Sequence, residues 1–163
     1  MPGIQITSTV NKKISLKEIV SKQSTILLFY RGGWCPFCNA HLAEVGEITK
    51  EIMAMGYQII AVSPDSPEQL QASLAEQDLD YALFSDADGK LTQAMGLAFK
   101  SPKKYGSILT NVSGGKNPGF LPVPVLFVLD TEGTILFEYI SPNYKQRIAA
   151  PLLIDVLKHF SMQ

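Results

Sequence analysis

The sequence predicts one α/β domain over residues 1–163, with a central mixed sheet and helices on both faces. Apolar runs of strand length, Ile26–Tyr30, Tyr57–Val62 and Val125–Leu129, stand between stretches whose apolar residues recur every three or four positions. That alternation implies parallel strands linked by helices that pack on the sheet. Only Asp130-Thr131-Glu132-Gly133 separates Val125–Leu129 from a further strand, Thr134–Tyr139. A connection that short makes an antiparallel hairpin, which turns the sheet from parallel to mixed.

Each element has a local reason. Ile4–Val10 alternate well enough for a short strand or an extended arm. Ser15, with Glu18 three residues on, opens a helix through Lys22 as a capping box. After Ile26–Tyr30, Arg31-Gly32-Gly33 reads as a tight turn. A helix follows to about Met55, ended by Gly56, with Leu42, Val45, Ile48, Ile52 and Met55 on one apolar face. Ser66-Pro67-Glu68-Gln69 supplies a cap, a first-position proline and a box partner for a helix to Gln77. Tyr81–Phe84 is a short strand, and Asp86-Ala87-Asp88-Gly89 turns into a helix ending near Gly96. Ala98–Leu121, rich in Gly, Lys, Ser and Pro, reads as a long loop with a short strand or turn around Ile108–Val112. Pro151–Phe160 closes the chain as a helix.

Composition excludes several classes of function. A formal net charge of -1 gives no basic field for nucleic acid or an anionic membrane. The longest apolar runs are strand-sized, far short of a membrane span. The first residues carry no continuous hydrophobic stretch, so no signal peptide and a cytoplasmic location are expected. A metal centre is not expected either, because a zinc site takes about four ligands. Only His41 and His159 could join the two cysteines. No dinucleotide-binding fingerprint is present, so no cofactor is expected.

The two cysteines are the informative feature. They stand three residues apart in Trp34-Cys35-Pro36-Phe37-Cys38 and are the only ones in the chain. A pair this close cannot staple distant parts of a fold, but it opens and closes with little rearrangement. The pair falls where a strand hands over to a helix. With Cys35 at the N-cap, its sulfur can accept from the N–H groups of Phe37 and Cys38, and Pro36 fills the first helical position. The helix dipole adds to this, and both favour a thiolate. The competing reading is an inert cysteine at a helix start with a second one in the core.

The order of elements, the C-x-x-C after the first central strand and Val123-Pro124-Val125 before the hairpin resemble the thioredoxin fold. Ser85-Asp86-Ala87-Asp88-Gly89-Lys90, Ala94-Met95-Gly96-Leu97 and Phe127-Val128-Leu129-Asp130-Thr131-Glu132-Gly133 are similar to the peroxiredoxin-like branch, the alkyl hydroperoxide reductase and thiol-specific antioxidant group. The resemblance runs from about Ile26 to Phe137. It implies an antioxidant oxidoreductase with a redox-active disulfide. Two registers compete for the attacking sulfur. Trp34 before Cys35 matches the thioredoxin pattern, in which Cys35 attacks and Cys38 resolves. Laid without gaps on Phe29-Tyr30, the peroxiredoxin pattern places Cys38 at the peroxidatic position. It also puts Arg31 where that family has proline and Cys35 where it has threonine.

The same resemblance assigns supporting roles. Pro124 is similar to the cis-proline that turns the backbone of Val123 toward the sulfurs. Arg31 beside the thiolate would lower its pKa, or else it is a solvated loop arginine. Trp34 would shield the site, Pro36 sets the helix start, and His41 is a half-buried helix histidine or a proton partner of Cys38. The thioredoxin register has no base for Cys38 in Leu27-Leu28. The expected function is a thiol-dependent oxidoreductase that cycles a Cys35–Cys38 disulfide to reduce protein disulfides or hydroperoxides. Its electrons would come from an external dithiol donor of thioredoxin or glutathione type. The alternatives are a glutaredoxin-like, glutathione-dependent reductase and a non-enzymatic redox-sensing module.

Overall fold

The protein is described by a computed structural model over residues 1–162. Its elements are β1 (Gln5–Ser8), β2 (Lys13–Ser15), α1 (Leu16–Val20), β3 (Thr25–Phe29), α2 (Pro36–Glu47), α3 (Thr49–Ala54), β4 (Gln58–Ser63) and α4 (Pro67–Gln77). They continue as β5 (Ala82–Ser85), α5 (Lys90–Ala94), β6 (Ala98–Lys100), α6 (Gly106–Val112), β7 (Phe120–Pro122), β8 (Val125–Leu129), β9 (Ile135–Ile140) and α7 (Ala150–Ser161). Seven strands form one mixed sheet in the order β2-β1-β5-β4-β3-β8-β9, and β6 pairs with β7 apart from it. β3, β4 and β5 are parallel, while β8 runs antiparallel to β3 and to β9.

β3 lies between β4 and β8, as the apolar runs require. Its residues alternate between two cores. Ile26, Leu28 and Tyr30 face Leu42 and Val45 of α2, Ile52 of α3, Leu70 of α4, and Leu153, Ile154 and Leu157 of α7. Leu27 and Phe29 face Leu16, Ile19 and Val20 of α1 and Leu91 of α5. A strand covered on both sides can be apolar at every position. Every residue of β3 and β8 is buried.

Local signals fix the helix starts. Ser15 Oγ accepts from Glu18 N and Ser66 Oγ accepts from Gln69 N. The Asp86 carboxylate accepts from Leu91 N, Thr92 N and Thr92 Oγ1 and holds the start of α5.

Three expectations are corrected. The helix after the cysteines does not run unbroken to Met55. It breaks at Ile48 (φ -106°, ψ 10°), where Thr49 Oγ1 turns back to the carbonyl of Val45. The segment 98–121 is not a bare loop but carries β6, a short 3₁₀ turn (Lys103–Tyr105), α6 and the start of β7. α6 has no side-chain cap and is held by tertiary contacts instead, through buried Leu109 and a hydrogen bond from Ser66 N to the Val112 carbonyl. Finally, the Val123–Pro124 bond is not cis, since the described residues contain no cis peptide. Val123 N donates to the Leu97 carbonyl, and the Pro124 carbonyl accepts from Ser141 N. These bonds tie the pair into the entry of β8.

Candidate active site

The cysteine pair sits at the carboxyl end of β3, the edge of an open α/β sheet where ligands bind. The turn that delivers it is closely packed. Gly32 has φ +145°, and a Cβ there would fall 2.5 Å from Trp34 Nε1 and 2.7 Å from Asp65 Oδ1. A Cβ on Gly33 would fall 2.5 Å from Ser73 Oγ. At Gly32 the positive φ and both contacts call for glycine, and at Gly33 a Cβ would displace the Ser73 hydroxyl. Asp65 Oδ2 accepts from Gly33 N (2.8 Å), Asn39 Nδ2 donates to the Gly33 carbonyl (2.7 Å), and Gln77 Nε2 holds Asn39 Oδ1 (2.8 Å).

Cys35 occupies the N-cap of α2 and Pro36 its first turn, as the sequence predicts. The cap hydrogen bond expected to Cys35 Sγ does not form. The sulfur is nonetheless held as a thiolate, its pKa lowered to about 6. The Cys38 thiol, donating to Cys35 Sγ, is the main cause. The Cys38 backbone N–H, Arg31 and Arg147 add to it, against a burial that opposes charge. Cys38 moves the other way, because it is the donor to Cys35 and is buried. The pair thus shares one proton, which we assign to Cys38. Both thiols are free and reduced.

Each sulfur has its own guanidinium. Arg31 Nη1 lies 3.8 Å from Cys35 Sγ, and Arg147 Nη2 donates to Cys38 Sγ at 3.2 Å. The closer contact is to Cys38. Cys38 nevertheless remains the protonated partner, because its thiol donates to Cys35 Sγ, its burial disfavours charge, and the Cys35 thiolate beside it opposes a second negative charge. Arg31 is not a solvated loop arginine. It is 4% exposed and lies among three rings, with its Cζ 4.0 Å from the centroid of Tyr144, 4.8 Å from Tyr105 and 4.9 Å from Trp34. Trp34 also stacks on Tyr105 at 5.2 Å, consistent with a shielding role. The expectation that Cys35 is the more exposed sulfur is not met: each cysteine is 1% exposed, with Arg31 and its rings packed beside Cys35.

Arg147 is held by the helix that carries Cys38. His41 Nε2 donates to the Ile148 carbonyl (3.2 Å), and Glu44 accepts from Ala150 N (2.8 Å), so the loop before α7 is pinned along α2. His41 is buried, and burial together with Arg147 lowers its pKa to about 4. It is a neutral structural histidine.

Arg31, Val123 and Pro124 line one cavity of about 260 Å³, walled by Phe99, Tyr105, Leu121 and Tyr144. The 98–122 segment supplies half of that wall, and the cavity opens beside the guanidinium that touches Cys35. A second, water-sized recess of about 10 Å³ reaches Cys38, His41 and Arg147. No cluster of three metal-ligating side chains occurs among the described residues. No helix among the described residues is long and apolar enough to cross a membrane.

Sequence reasoning missed Arg147, Tyr105, Tyr144 and Asp65. One signal was available for Arg147. Of 14 basic residues only Arg31 and Arg147 are arginines, the residue suited to buried, stacked or forked contacts. Asp65 stands just past the carboxyl end of β4, a functional position in such sheets.

Comparison with known proteins agrees with this geometry. A Haemophilus influenzae protein that carries a peroxiredoxin name, bcp, is 23% identical over 59% of this chain, a match spanning 61% of that protein's length. The thiol-disulfide oxidoreductase ResA of Bacillus cereus is 22% identical over 90% of the chain and 71% of its own length. Among solved structures, reduced Prx3 from Vibrio vulnificus superposes with a TM-score of 0.83 at 17% identity, covering 98% of this chain and 96% of that one. Peroxidoxin BcpB from Mycobacterium tuberculosis gives 0.73 at 17% identity over 96% and 92%. These structures share the thioredoxin-type fold of peroxiredoxins. The AhpC/TSA family model matches residues 1–137, and the chain belongs to the AhpC/TSA family.

Proposed function

We propose that the protein is a two-cysteine, thiol-dependent reductase in which Cys35 attacks and Cys38 resolves. The observation that supports this most is the Arg31 guanidinium, buried among aromatic rings and 3.8 Å from a Cys35 sulfur whose pKa is lowered to about 6. With a hydroperoxide, the thiolate takes the terminal oxygen, the O–O bond breaks, and the departing alkoxide or hydroxide picks up a proton. Cys35 is then a sulfenic acid. Cys38 attacks that sulfur, a disulfide forms and water leaves. With a disulfide substrate, Cys35 forms a mixed disulfide and expels one thiolate, and Cys38 expels the other. Two electrons from an external dithiol, of thioredoxin or glutathione type, restore the pair. A reducing compartment such as the cytoplasm suits this cycle.

The cavity beside Arg31 gives the substrate its approach. The test compares Cys35→Ser and Cys38→Ser against hydrogen peroxide and a small disulfide. Cys35→Ser should lose capture of both, while Cys38→Ser should accumulate a sulfenic acid or a stable mixed disulfide at Cys35. Sulfenic acid at Cys38 in the Cys35→Ser protein would reverse the roles. The contact that favours that reversed reading is Arg147 on Cys38.

A further inference from the structure

Just past the end of β4 lies a buried carboxylate that the reaction as written does not use. Asp65 is 1% exposed. One oxygen takes the N–H of Gly33 at 2.8 Å, and the other has no hydrogen-bond partner among the described residues. The indole Nε1 of Trp34 is likewise buried and unpartnered. Both atoms face the same point, since a Cβ on Gly32 would lie 2.5 Å from Nε1 and 2.7 Å from Oδ1. A buried acid with no cation against it is costly unless it fixes something. Its contacts belong to the turn between Arg31 and Cys35. Around it are Tyr30, whose hydroxyl the carboxylate pushes toward the neutral form, Ser63, whose hydroxyl accepts from Asp65 N, and Ser73, packed on Gly33. No basic side chain among the described residues forms an ion pair with it.

We infer that Asp65 is a positioning residue for Cys35: by holding Gly33 N–H and facing the Trp34 indole, it fixes the Gly32-Gly33 turn so that Arg31 and the start of α2 converge on the Cys35 sulfur. The inference rests on the reading of Cys35 as the attacking thiol. It assigns Asp65 a geometric task, with no proton passing through it. Burial raises the Asp65 pKa to about 6, against the Gly33 N–H that lowers it. Near neutral pH the carboxylate is therefore available as a strong acceptor for Gly33.

A geometric role and a purely electrostatic one predict opposite signs. A carboxylate acting only by its charge disfavours the nearby thiolate, so both Asp65→Asn and Asp65→Ala would lower the Cys35 pKa. A positioning role predicts the reverse for alanine. Loss of the Gly33 anchor lets the turn relax and raises the Cys35 pKa by about one unit, so alkylation slows about twofold at pH 6 and quickens about two- to threefold at pH 8. Asparagine retains an acceptor oxygen for Gly33 N–H and should keep the Cys35 midpoint within about 0.3 unit of the parent.

The experiment alkylates the reduced full chain with iodoacetamide between pH 5 and 9 and assigns the label to Cys35 or Cys38 by peptide mass. Trp34 fluorescence is followed in parallel, because it is the only tryptophan and faces Asp65. The expected result is a raised Cys35 midpoint in Asp65→Ala with shifted Trp34 emission, and a midpoint near the parent's in Asp65→Asn. The inference is overturned if the alanine midpoint is unmoved or lowered, or if the asparagine midpoint rises as far as that of alanine. Should alanine not fold, asparagine alone decides: a Cys35 midpoint that moves in either direction overturns the inference, and an unchanged one upholds it. Failure of the functional reading looks different, since label would then appear first on Cys38 in the parent protein, with no Asp65 variant needed.

Discussion

Replacing Arg31 by methionine removes the charge beside Cys35 while keeping an apolar stem among Trp34, Tyr105 and Tyr144. At 3.8 Å, a pair of unit charges interacts by about 1 kcal/mol at the dielectric of water and about 4 kcal/mol at an effective value of 20. One pKa unit corresponds to about 1.4 kcal/mol, so the bounds are roughly 0.8 and 3 units. The whole depression of Cys35 runs from 9.0 to about 6, and Cys38 accounts for more of it than Arg31 does. The share left to Arg31 is about one unit, which puts the variant near pH 7. At pH 6 the thiolate fraction would fall from about a half to about a tenth, a fivefold loss. A more basic thiolate is intrinsically about threefold more nucleophilic per unit. The variant should therefore alkylate about twofold more slowly at pH 6 and about two- to threefold faster at pH 8. Rates with iodoacetamide across that range, with the label mapped to Cys35, read this crossing directly. An unmoved or lowered midpoint would refute the assignment of Arg31 to the thiolate.

Arg147→Met removes the guanidinium donating to Cys38 at 3.2 Å. Since a charge-assisted hydrogen bond is worth about 1.5–3 kcal/mol, disulfide closure should slow at least about tenfold while the first step at Cys35 changes little. Sulfenic acid trapped by dimedone at Cys35 should rise accordingly, and unchanged trapping would count against a role in resolution. His41 makes stability depend on pH. Its folded pKa of about 4 lies below the ordinary 6.5, so its contribution is complete above pH 6.5 and is lost as pH falls toward 4. The loss is at most roughly 3 kcal/mol, and His41→Gln should flatten that part of a urea-denaturation profile.

What the sequence made legible was what local chemistry dictates. β3, β4 and β8 could be read because strands buried on both faces carry unbroken apolar runs, and α4 because Ser66 and Pro67 mark its start without help from the rest of the fold. Cys35 at the helix start followed from the same local rules. The rest depends on contacts that no window of sequence contains. β2 is three residues long at a sheet edge and exists because β1 pairs with it. α6 has no cap and leans on Leu109 and on Ser66. Arg147 reaches Cys38 across 109 residues, through a loop that His41 and Glu44 pin from the neighbouring helix. The trans bond at Pro124 is likewise set by Leu97 and Ser141, one on each side of it. The access argument for Cys35 failed for the same reason, since Tyr105 and Tyr144 arrive around Arg31 from two distant segments.

The charge balance of this site also fixes how its redox potential must vary with pH. Reducing a disulfide takes two electrons and two protons when both thiols are protonated, but only one proton when one of them is a thiolate. Each proton taken up in this two-electron couple contributes about 30 mV per pH unit. Below the Cys35 pKa of about 6 the potential should fall by about 59 mV per unit, and above it by about 30 mV per unit. The burial and donor role of Cys38 keep its proton in place, so the shallow slope should persist well past pH 8. Disulfide formation removes the thiolate charge beside the buried Arg31 guanidinium, and the lost attraction stabilises the reduced state relative to the oxidised one. Equilibration with a glutathione buffer between pH 5 and 9, with the bridged fraction read by mass spectrometry, measures the slope. A constant 59 mV per unit across that range would mean that neither thiol is ionised, and the electrostatic account of Cys35 would fall with it.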